Sequence, residues 1–153
     1  MDMTEFTPDL SETSNSGSVI FTKLAQWLSV PIKSSIDLAK VAKSGVSLNC
    51  YDKLLKHGYS RRDLNWVIQP RTLSHRRQRN ECLNVDESSR LLRVIRIQIL
   101  AEAVLGDAQK AQRWMIKPRS MFSGMSAKAL IQLEQGAPLV EEALIQLDEG
   151  YFA

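Results

Sequence analysis

Cysteine is nearly absent: Cys50 and Cys82 are the two in 153 residues, with no CxxC pair and no neighbouring pair of histidines. A tetrahedral zinc site therefore lacks its ligands, and both thiols read as reduced structural or surface groups. No apolar run approaches the roughly 20 residues that cross a bilayer, and the opening MDMTEFTPDL has neither a basic nor an apolar leader region. A cytoplasmic protein with no membrane partner is expected. Equally missing are a glycine-rich phosphate loop, an HExxH pair, a Ser or Cys nucleophile beside a base, and a carboxylate dyad. His75 has no Ser, Cys or carboxylate at a recognisable spacing, and His57, just ahead of Gly58, reads as a helix C-terminal residue facing the negative end of the dipole. Neither catalysis nor a cofactor or metal is expected.

What the chain does have is segregated charge. Residues 1–17 carry four acids and no base; residues 18–82 carry twelve Lys/Arg against four Asp/Glu, and residues 83–153 carry eight against nine. A surplus of eight positive charges on one stretch is the footprint of a polyanion binder, since neutralised phosphates release condensed counterions. The first 17 residues, rich in Ser, Thr and acids and without hydrophobic period, read as a disordered arm.

Strand signals are scarce, and the breakers Pro31, Gly45, Gly58, Pro70, Gly106, Pro118, Gly124, Gly136 with Pro138, and Gly150 are spaced for short helices. An all-α fold follows. The longest helix is expected from Asp86 to Leu105, with Asp86 and Glu87 at its positive end, Leu91, Leu92, Ile95, Ile99 and Ala103 as its apolar stripe, and Arg90, Arg93 and Arg96 on a solvated face. Asp107 should cap a helix through Ile116, Ser126 one through Gln135, and Pro138 should sit in the first turn of a last helix ending at Gly150. Leu139, Val140, Ala143, Leu144 and Leu147 form that last helix's stripe, and Trp27, Trp66 and Trp114 read as core.

Residues 47–79, SLNCYDKLLKHGYSRRDLNWVIQPRTLSHRRQR, carry helix-turn-helix punctuation: a helix before Gly58, a second from the N-cap Ser60, and a third from Pro70. Either of the last two could enter a major groove. The helix from Pro70 is the better candidate, offering Arg71, Thr72, Ser74 and His75 to base edges and Arg76, Arg77 and Arg79 to phosphates, with Arg61 and Arg62 as further backbone contacts.

Downstream, Glu87-Ser88, Arg90-Leu91, Arg93, Ala103, Gly106-Asp107, Ala111, Trp114 and Pro118 occur in an order that continues with Gly124, Gly136, Val140, Leu144 and Gly150. This set resembles the Xre/MbcA/ParS toxin-binding domain of type II antitoxins, and RTLSHRR looks like the matching part of that family's helix-turn-helix region. The resemblance covers about residues 36 to 153. Leu105 and Ala127 depart from it, standing where an aromatic and a proline are usual. It implies a helix-turn-helix domain over residues 18–82 and a helical toxin-binding domain over residues 83–153. The partner it implies is a RES-domain toxin that degrades NAD, neutralised by direct binding, with the antitoxin repressing its own operon.

The residues themselves suit such a partner. After Lys128 there is no base, while Glu134, Glu141, Glu142, Asp148 and Glu149 are acidic, and the chain closes on Gly150-Tyr151-Phe152-Ala153. An acidic, aromatic terminus complements a basic pocket built for a pyrophosphate, so Glu141, Asp148, Glu149 and residues 150–153 are the candidate toxin contacts, with the terminus blocking the active site. The other readings are a tail folded onto Leu147 and Trp114 as core, and a stand-alone helix-turn-helix regulator whose C-terminal half only dimerises. Operator symmetry demands at least a homodimer in either case.

Overall fold

In a computed structural model, residues 15–150 are described, with side chains from residue 19. Among them every regular element is helical. The order is α1 (Asn15–Leu28), α2 (Ser35–Ser44), α3 (Leu48–Lys56), a 3-10 turn (Arg62–Leu64), α4 (Pro70–Arg79), α5 (Val85–Leu105), α6 (Ala108–Ile116), a 3-10 turn (Ser120–Phe122), α7 (Ala127–Leu130) and α8 (Gly136–Asp148). Of the arm expected over residues 1–17, residues 1–14 lie outside the described residues, and α1 takes up the chain from Asn15.

The organising element is α5. Its start is fixed by a capping box, in which Asn84 Oδ1 accepts from the Glu87 amide at 2.8 Å and Glu87 Oε1 accepts from the Asn84 amide at 2.9 Å. Gly106, with φ of 103°, ends it. Between these caps Leu91, Leu92, Val94, Ile95, Ile97, Ile99, Leu100 and Ala101 are all buried, so the apolar surface runs around the helix rather than along one stripe, whereas Ala103 is exposed. α5 packs against α1, α2, α6 and α8, and one continuous apolar cluster runs from Leu24 to Leu144. Burying each of its large aliphatic side chains contributes about 1.5–3 kcal/mol.

A small knot ties the α2–α3 turn to the head of α5. The Val46 amide donates to Ser88 Oγ at 2.9 Å, Ser88 Oγ donates to the Leu83 carbonyl at 3.3 Å, and the Leu83 amide donates to the Val46 carbonyl at 3.0 Å. These partners satisfy polar groups that burial would otherwise leave unpaired.

Three expectations need correction. The arginines of α5 are not a solvated face: Arg90 Nε donates to the Val67 carbonyl at 3.0 Å, Arg93 donates to the Ile131 carbonyl at 3.2 Å while lying over the Trp66 ring, and Arg96 pairs with Glu141 at 3.0 Å. They are cross-braces, because the apolar run on α5 leaves it enclosed by neighbours on most sides. The helix expected from Ser60 is a single 3-10 turn; Ser60 and Asp63 do cap each other reciprocally, but only eleven residues separate Gly58 from Pro70, and proline disfavours the helical region at Gln69. Finally, the helix from Ser126 stops at Leu130 instead of Gln135. The chain doubles back there so that Gly136 abuts Leu130, where a Cβ would stand 2.0 Å from the Leu130 carbonyl oxygen, and Arg93 takes up the carbonyls released.

Candidate functional site

α4 begins where Pro70 supplies the first helical residue, and Leu73 is its buried anchor. Helical spacing then turns Arg71, Ser74, His75, Gln78 and Arg79 away from Leu73, and all five are exposed. Thr72 is half-buried. Arg61 and Arg62 are exposed on the preceding segment, and Arg61 shares with Ser74, Arg77 and Tyr51 a cleft of about 130 Å³ at the head of α4. Burial pushes the Tyr51 phenol above its usual range against the opposing pull of the Arg61 and Arg77 charges. Two of the expected phosphate contacts also have partners within the fold. Arg76 bridges Glu81 at 3.0 Å and the buried Glu87 at 3.2 Å, joining α4 to the head of α5. Arg77 is bidentate on Asp52 of α3.

At the other end, Asp148, Glu149 and Gly150 are exposed, whereas Glu141 is engaged by Arg96. Tyr151, Phe152 and Ala153 lie outside the described residues. Leu139 and Ile145 of α8 are exposed, so the expected apolar stripe holds at Val140, Ala143 and Leu144 but not at Leu139. Leu139, Met121, Phe122, Glu142, Ala143 and Gln146 line a groove of about 230 Å³. Trp114 is half-buried, edge-on to Phe122 at 6.2 Å, with the Arg119 guanidinium 4.5 Å from its ring centre. Burial lowers the Arg119 pKa from its ordinary value.

A chain of polar contacts that the sequence reading missed joins the two ends. His57, at the close of α3, contacts Glu102 of α5, and its ring lies 4.7 Å from that of Trp27. Glu102 accepts from Gln98 at 2.8 Å, Gln98 accepts from Gln112 of α6 at 3.1 Å, and Gln112 accepts from Lys128 of α7 at 3.0 Å. Lys128 then reaches Asp63 at 3.1 Å. The legible signal was Gln98, an amide set between Ile97 and Ile99, because a buried polar group requires a partner.

Residues 100–150 match the family model described as Antitoxin Xre/MbcA/ParS C-terminal toxin-binding domain. That stretch is thus similar to the toxin-binding domain of Xre/MbcA/ParS antitoxins. An Antitoxin Xre of Pseudomonas putida is 47% identical over 85 residues, which are 56% of this chain and 54% of that protein. The chain thus spans about half the length of that curated relative. Within the matched stretch the motif residues have structural duties. Gly106 ends α5, Asp107 caps α6 through the Lys110 amide at 2.7 Å, and Gly136 admits the Leu130 carbonyl.

Proposed function

We propose that the protein is an antitoxin that binds and neutralises a cognate toxin through its C-terminal region and represses its own operon through the basic face of its N-terminal half. The observation that carries this reading is the match of residues 100–150 to the toxin-binding domain, on a stretch whose α8 keeps Leu139 and Ile145 uncovered and ends in the exposed acids Asp148 and Glu149. Exposed apolar side chains rimmed by charge are what a protein-binding surface offers.

The toxin is a RES-domain enzyme that degrades NAD. Its active-site entrance is basic, and the terminus from Asp148 through Glu149, Gly150, Tyr151, Phe152 and Ala153 blocks it by charge and aromatic complementarity. Glu141 contributes to the toxin surface by opening from Arg96. On the DNA side, α4 lies in the major groove of the operator. Arg71, Ser74 and His75 reach base edges, Arg79, Arg61, Arg62 and the rim residue Arg77 contact phosphates, and Thr72 and Ser60 position the backbone. Arg76 serves mainly to hold α4 to α5. A homodimer on a two-fold operator, assembling further with toxin in the cytoplasm, completes the reading.

Co-expression with the neighbouring gene product tests it. The two proteins are expected to co-purify and NAD to be preserved, and a folded chain lacking residues 150–153 is expected to bind the toxin yet lose protection. Full protection by that truncation rules out the block at the terminus, and failure to co-purify rules out the antitoxin reading.

A further inference from the structure

A further cavity lies between the end of α3 and α6. It has a volume of about 430 Å³ and is lined by Lys56, His57 and Gly58 at the end of α3 and by Ala108, Gln109, Gln112 and Arg113 of α6. It shares no lining residue with the cleft at Arg61 and Arg77 or with the groove at Leu139. Three basic side chains converge on it. Lys56 and Arg113 are exposed and, among the described residues, have no acidic partner. The acids that stand near are engaged: Glu102 by His57 and Gln98, and Asp107 by the Lys110 amide.

The walls are held in place. Gly58, with φ of 101°, lets Gln112 approach so closely that a Cβ on residue 58 would stand 2.7 Å from Gln112 Cγ. Gln112 is held in turn by Gln98 and Lys128. Behind it the Tyr59 hydroxyl is buried. Burial raises its pKa far above the usual phenol range, and the Gln112 amide opposes that shift. A pre-formed concavity of this size matches a small ligand, about 300–1,000 Å³ being usual. An arginine fork and a lysine ammonium without acids of their own call for an anion, and phosphate suits both.

We infer that the cavity between α3 and α6 binds a small phosphate-bearing molecule, held by Lys56 and Arg113 with His57 and Gln109 at its sides. The site is separate from the DNA face and from the toxin surface. Because Gln112 belongs both to its wall and to the polar chain ending at Lys128 and Asp63, occupancy is sensed at the segment that carries Arg61 and Arg62.

Amide shifts of the full chain titrated with inorganic phosphate, pyrophosphate and a nucleoside diphosphate test the inference. The expected result is saturable movement of Gly58, Gln109 and Gln112 at millimolar probe or below. Lys56→Gln with Arg113→Gln should weaken it at least about tenfold, as two charge-assisted contacts require, while Arg71→Gln leaves it unchanged. Gln109→Glu, an exposed change that adds a negative charge to the rim, should abolish it with the melting temperature unaltered. No saturable shift with any probe, or retained binding in the double variant, overturns the inference. So does a loss of duplex-DNA affinity in Lys56→Gln/Arg113→Gln as large as that in Arg71→Gln, which would make the cavity part of the DNA footprint.

Discussion

Lys128 Nζ sits 3.1 Å from Asp63 Oδ2 and 4.6 Å from the centre of the Tyr59 ring, bringing α7 against the segment that precedes α4. The ammonium is largely enclosed, at 15% exposure, so removing it strands an acid and an amide together. Lys128→Met is expected to cost about 1–3 kcal/mol in denaturant unfolding. A double-mutant cycle with Asp63→Ala should return a coupling of about 0.5 kcal/mol or more; strict additivity would show that the contact contributes nothing.

The same pair gives a pH dependence. Burial works to raise the Asp63 pKa, but the Ser60 amide and Lys128 outweigh it, and the net effect is a pKa below the ordinary 3.8. A depressed folded-state pKa means that the unfolded chain binds the proton more readily. The stabilisation is therefore full above the ordinary carboxylate range and is lost as pH falls through the folded value. Melting temperature should decline across that acid window, and Asp63→Asn should flatten that part of the profile while lowering the neutral-pH plateau.

Gly136→Ala should be among the most disruptive single-methyl changes in the chain. Its Cβ would meet backbone, the Leu130 carbonyl oxygen at 2.0 Å, and backbone cannot swing aside as a flexible side chain can. A loss of about 2–4 kcal/mol is expected, read by thermal unfolding. An unchanged melting temperature would show that the α7–α8 turn is placed differently.

The arginines of α4 should separate into two phenotypes. Arg71→Ala, at an exposed position, is expected to weaken operator binding and to lower the slope of log K against log salt by about one if it meets a phosphate, leaving stability within about 0.5 kcal/mol. Arg76→Ala releases Glu81 and the buried Glu87, so its main effect should be on unfolding. Gel-shift and melting measurements on both proteins distinguish the roles; identical phenotypes would refute the division.

Thiol titration should find one reactive group in the native protein. Cys82 is exposed, whereas Cys50 is buried, donates to the Trp27 carbonyl at 3.4 Å, and has its thiol pKa raised by desolvation against the pull of Lys53. Ellman's reagent is expected to label Cys82 at once and Cys50 only on unfolding.

Helix ends were the most legible part of the structure, because caps are local chemistry. Asp107, Pro70, Pro138 and Gly106 stand where their residue types predict. The features that the chain concealed were set by packing between distant segments. An arginine every third residue on α5 is spelled the same whether it meets water or the Val67 and Ile131 carbonyls, and only the enclosure of α5 decides between them. The early stop of α7 is likewise imposed from outside, by Arg93 and by the contact between Gly136 and Leu130. At the candidate site, the exposed face of α4 followed from its period, whereas the intramolecular partners of Arg76 and Arg77 lie on other elements and could not be read from spacing.

A helix buried on nearly every side has two owners. Since α5 packs against α1 and α2 and also against α6 and α8, neither half of the chain has a finished core without it. Calorimetry should thus record one melting event, and a chain cut off before Val85 should emerge loose and sticky, its basic surface intact in composition but with nothing rigid to present it.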